Sequence, residues 1–108
     1  MTDGTPVRNT PVQMNEGTLE RSGLDPGTFM LARIAALAPA GAPPVSYLVN
    51  LEVASELGVS PEHVQGVLVA IAPVVGGAAI AAAAGSITRS LGMAIELGEL
   101  AEEDAGAS

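Results

Sequence analysis

The chain has 108 residues, with 4 Lys+Arg against 12 Asp+Glu and one His, for a formal charge of −8 at pH 7. It contains no Cys and no Trp, which excludes disulfides, thiol redox chemistry and Cys-ligated metal centres. The acidic balance argues against nucleic acid or an anionic membrane as a partner, since phosphate binding needs clustered Lys and Arg. A single His cannot build a multi-His metal site within one chain, and no cofactor is expected. A domain this small buries a modest core and gains much from oligomerising.

Residues 1–23 are rich in Thr, Gly, Pro, Asn and Glu and read as a polar arm without a core of its own. The first six residues, Met1 to Pro6, carry neither a basic nor an apolar run, so no secretory signal is read and a cytoplasmic location is expected. Asp25 followed by Pro26 is a helix start: a carboxylate that caps free N–H groups, then a residue whose missing N–H costs nothing. Phe29, Met30, Ile34 and Leu37 give an apolar helix to about Ala38, ended by the Pro/Gly loop 39–44.

A second helix is expected from Pro44 or Val45 to Leu57, with Tyr47, Leu48, Leu51, Ala54 and Leu57 at helical spacing and Gly58 as its stop. Ser60, Pro61 and Glu62 open a third, carrying Val64, Val67, Leu68 and Ile71 and ending or kinking at Pro73. After the Gly76-Gly77 joint, Ala78 to Leu91 reads as an Ala-rich fourth helix, with a further turn or two through Met93, Ile95, Leu97 and Leu100. Residues 99–108 read as an acidic, solvated tail. No strand pattern occurs, so the fold class is all-α.

The uncharged run Val67 to Gly85 raises the question of a membrane span. Its central Pro73 and Gly76-Gly77, its Ala content, and the lack of aromatic or basic flanks favour buried helices instead. A helix apolar on all sides must be covered on all sides. That implies an obligate homo-oligomer, with Val75, Gly76, Gly77, Ala78, Ala82, Ser86 and Arg89 at the subunit interface.

In order along the chain stand Leu24-Asp25-Pro26-x-Thr28, Arg33-Ile34-Ala35-Ala36-Leu37, Ala54-x-x-x-Gly58-Val59-Ser60-Pro61-Glu62 and Ala72-Pro73-Val74-Val75-Gly76. Across residues 24–94 this series resembles the carboxymuconolactone decarboxylase and alkylhydroperoxidase D-like family. The resemblance implies a small helical domain, residues 24–98, built on an antiparallel helical hairpin, and a homotrimer or a hexamer of two trimers. Members of that family include lyases acting on a lactone acid and peroxidases that use a Cys-x-x-Cys pair beside a Glu and a His. This chain departs from the pattern. The position often held by His is Asn50, the Glu of the third helix is Gly66, the expected aromatic is Val74, and a charged pair of the first helix is replaced by Phe29 and Met30.

The remaining candidates for chemistry are few. Glu52, Glu56 and His63 are the available acid–base groups, and Arg33, Tyr47 and Asn50 the available substrate-binding groups. Each has a structural reading too: Glu52 and Glu56 as a solvated face, His63 as an exposed helix-start residue, Arg33 as half of an ion pair with a Glu. Phe29 and Met30 read either as a contact surface for a protein partner or as core beneath the N-terminal arm. The expectation is a non-catalytic binding or structural module. The alternative is a non-redox lyase or isomerase acting on a small carboxylated or cyclic substrate.

Overall fold

The computed structural model of the chain describes residues 17–107, with side chains described through residue 103. The described residues form five helices: α1 (17–22), α2 (Pro26–Ala40), α3 (Pro44–Glu56), α4 (Pro61–Val75) and α5 (Gly77–Ala107). Among the described residues there is no strand.

Local chemistry sets most of these boundaries. Asp25 caps α2, its carboxylate accepting from the Thr28 N–H at 3.0 Å and the Thr28 hydroxyl at 2.7 Å. At the far end Gly41 takes the left-handed conformation (φ 65°), so that its N–H reaches the carbonyl of Ala38 and that of Ala42 reaches Leu37. Gly58 (φ 84°) closes α3 in the same way, through Gly58 to Ser55 and Val59 to Ala54. Gly76 (φ 91°) breaks the uncharged run 67–85 between α4 and α5, so that run is not one helix.

Four boundaries differ from those read in the sequence. Residues 1–16 of the expected arm lie outside the described residues, but 17–22 are helical and Leu19 packs onto the core. α2 runs through Pro39 to Ala40, because a proline in the last turn leaves only one carbonyl unserved before the Gly41 cap. α4 passes Pro73 to reach Val75, with both Pro73 and Val69, whose carbonyl the proline leaves free, on the exposed side. α5 is a single helix of 31 residues that takes in the expected tail, since Gly85, Gly92 and Gly98 keep helical φ among Ala and Leu.

The core has two parts. Phe29, Met30, Ile34, Ala54 and Val64 form the first, with Leu19, Val53 and Val59 at its edge. Ala38, Tyr47 and Ala83 form the second, with Leu37, Leu68, Ile71 and Ile87 around it. Leu51 touches both parts and joins them. Complete burial of one side chain such as Ile34 (0% exposed) contributes about 1.5–3 kcal/mol.

Candidate functional site

α3, α4 and α5 enclose an open groove of about 470 Å³. Leu51, Ala54 and Ser55 come from α3, and Val59 from the following loop. Pro61, Val64, Gln65 and Leu68 come from α4, facing Ala84, Ile87, Thr88 and Leu91 of α5. Residues 61–68 and 84–91 are far from Gly76 in sequence yet flank the same space, so α4 and α5 run back along each other as a hairpin.

The lining is apolar apart from Ser55, Gln65 and Thr88. The Thr88 hydroxyl donates to the Ala84 carbonyl at 3.0 Å, as helical threonines commonly do. Ser55 and Gln65 make no side-chain hydrogen bond within the described residues, so their polar atoms are available to a ligand or to water. Among the described residues no charged one lines the groove. General acid–base chemistry needs a titratable group within hydrogen-bond reach of the reacting atoms, and the described lining residues include none.

The residues singled out in the sequence lie elsewhere. Glu52 and Glu56 occupy the exposed side of α3. His63 is exposed at the start of α4, where its Nδ1 lies 3.0 Å from the Ser60 hydroxyl and accepts from the Ser60 N–H at 3.3 Å. The His63 N–H in turn donates to the Ser60 hydroxyl at 3.2 Å, so the pair forms a reciprocal capping box. Asn50 is half-buried and donates from Nδ2 to the Ser46 carbonyl at 2.8 Å.

Arg33 is half-buried on α2, with its guanidinium 4.5 Å from the centroid of the Phe29 ring, one turn away. Phe29 and Met30 are 7% and 4% exposed and belong to the core, with Leu19 of α1 in the same cluster. Of the two readings the sequence offers for them, core or contact surface, their burial fits the first, with Leu19 packed against the same cluster. Tyr47 is 1% exposed and finds no hydrogen-bond partner among the described residues; burial raises its phenol above the ordinary tyrosine range. It belongs to the core cluster with Ala38 and Ala83, against which Leu51, Leu68 and Ile87 pack, and these three also line the groove. Among the described residues no three His, Cys, Asp or Glu gather where they could hold a metal ion.

The groove-lining polar residues were missed in the sequence because each carries an ordinary helix-surface signal. Only their position relative to Ala84, Thr88 and Leu91 on a distant helix gives them a shared site.

α5 is largely uncovered. The mean hydropathy of its most apolar 18-residue window is 1.3, yet only 17% of that window is buried, and by length and composition alone Gly77–Glu103 could cross a membrane. Ala78, Ala82 and Arg89 are exposed on it and Ser86 is half-buried; at the α4–α5 joint Gly76 and Gly77 are exposed and Val75 half-buried. Large apolar side chains stand free nearby, including Val74 at 85% exposure, Leu97 and Leu100.

Comparison with known proteins adds one match. The model of the carboxymuconolactone decarboxylase family fits residues 6–88. No curated protein and no solved structure matches the chain.

Proposed function

The chain belongs to the carboxymuconolactone decarboxylase family, and from that premise we propose that it is a non-catalytic, homo-oligomeric member acting as a binding and structural module. The observation that carries this reading is the exposure of α5. A helix of 31 residues with only 17% of its apolar window buried gains stability when something else covers it. Ala78, Ala82, Ser86 and Arg89 recur at intervals of four, four and three, which aligns them in one stripe. The small side chains of Ala78, Ala82 and Ser86 along this stripe let a second helix approach closely, and a second copy of this chain supplies one.

The non-catalytic part of the reading is supported by dispersal. Glu52 and Glu56 face solvent, His63 is engaged in capping α4, and Arg33 lies over Phe29. A lyase would need two or more of these groups converging on one substrate, and no observation favours that alternative.

Size measurement without detergent, on the native chain and on Ala82→Glu, tests the proposal. A trimer or hexamer that falls to monomer in Ala82→Glu supports it. A monomeric native chain, or one recovered only with detergent, refutes it, the latter in favour of a membrane-embedded α5.

A further inference from the structure

We propose that the groove between α3, α4 and α5 binds a neutral, mainly apolar small molecule bearing a hydroxyl or carbonyl group. The inference deepens the binding-module reading and rests on it. Its volume of about 470 Å³ lies within the range of roughly 300–1,000 Å³ usual for small-molecule sites, which often form between the helices of a bundle.

Charge selects the ligand class. Among the described residues no Arg or His lines the groove, and lining residues Leu51, Ser55 and Pro61 each precede an exposed glutamate (Glu52, Glu56 and Glu62). Arg89 follows lining residue Thr88 but turns away: its Nη1 lies 4.0 Å from where a Cβ on Gly85 would stand. A carboxylate entering this space would lose its hydration without gaining a cation, in a chain of net charge −8. A neutral hydroxyl or carbonyl meets the unpartnered polar atoms of Ser55 and Gln65, while the carbon skeleton lies on Val64, Leu68 and Ile87.

The site is compatible with assembly. Ala84, Thr88, Leu91 and Ile95 form a second stripe on α5, turned about 150° from the Ala78–Arg89 stripe by the 3.6-residue helical repeat. Subunits meeting through the first stripe leave the groove open on the other side.

The test is calorimetric titration of the assembled protein with decan-1-ol and with decanoate. Tyr47 fluorescence serves as a second readout, because this single tyrosine belongs to the core cluster against which Leu51, Leu68 and Ile87 of the groove wall pack, and there is no Trp. The expected result is saturable decan-1-ol binding, with decanoate at least tenfold weaker. Ala84→Trp fills the groove and should abolish decan-1-ol binding while subunit stoichiometry and helicity stay unchanged. Leu91→Ala, which removes one wall with little risk to the fold, should weaken it several-fold. Absence of saturable binding, equal affinity for the two probes, or full binding in Ala84→Trp overturns the proposal. A change of stoichiometry in Ala84→Trp overturns it as well, by making the groove a subunit contact. Ala82→Glu separates the two claims: decan-1-ol binding that persists in a native-sized Ala82→Glu protein sinks the assembly reading and leaves the groove standing.

Discussion

The imidazole of His63 turns back onto Ser60, with Nδ1 3.0 Å from the hydroxyl oxygen and 3.3 Å from the backbone nitrogen. The only histidine of the chain thereby completes the start of α4. His63→Ala should lower stability by about 0.5–1 kcal/mol, and Ser60→Ala by about 1 kcal/mol. His63→Gln should recover most of the loss, because a glutamine at this position can make the same reciprocal bond. Denaturant melts measure all three. A loss of assembly or ligand binding in His63→Gln, with stability retained, would instead give the imidazole a role beyond the cap.

Burial separates the damaging substitutions from the silent ones. Ile34→Ala empties a fully buried position between α2 and its neighbours and should cost about 2–5 kcal/mol in chemical unfolding. Glu52→Gln and Glu56→Gln alter exposed groups and should stay within about 0.5 kcal/mol of the native chain. A large effect of either glutamate substitution on ligand binding would restore the case for an acid–base site.

Tyr47 places a phenol in an apolar pocket without a hydrogen-bond partner among the described residues. Its pKa is raised by burial, so the stability it contributes is complete below the ordinary tyrosine range and is lost as pH rises through the higher folded value. Tyr47→Phe should therefore leave stability at neutral pH equal or slightly increased, and should remove the alkaline decline. With one tyrosine in the chain, phenolate absorbance follows the group directly. Ionisation at or below the ordinary value would show that the hydroxyl reaches water.

Asp25 shows the opposite sign. Its bonds from the Thr28 hydroxyl and N–H hold the carboxylate below the ordinary aspartate value. Its contribution is present above the unfolded-state pKa and disappears as pH falls through the lower folded one. Thermal melts between about pH 5 and pH 2 should show part of the acid decline missing in Asp25→Asn, which cannot titrate. Identical acid profiles for the two proteins would remove Asp25 from the account.

Much of the helical order was legible because its punctuation is local. Asp25-Pro26, Ser60-Pro61, Gly58 and Gly76 act through caps and left-handed turns that need no distant partner. What depends on contacts across the fold was harder to read. The burial of Phe29 and Met30 goes with Leu19, in a segment whose composition resembles an unstructured arm. The length of α5 was underestimated because Gly92 looks like a break and the end from residue 99 is acidic and small, yet the helix continues through both. The groove had no sequence signature at all. Its polar members sit on two exposed helix faces and a third helix, and only packing makes them neighbours.

The central claim is that copies of this chain cover α5 and that the chain works as an assembled module. Native mass spectrometry of protein prepared without detergent tests it most directly. The account predicts a trimer or hexamer at integer subunit mass, reduced to monomer by Ala82→Glu. A stable, soluble monomer with α5 still helical would contradict it.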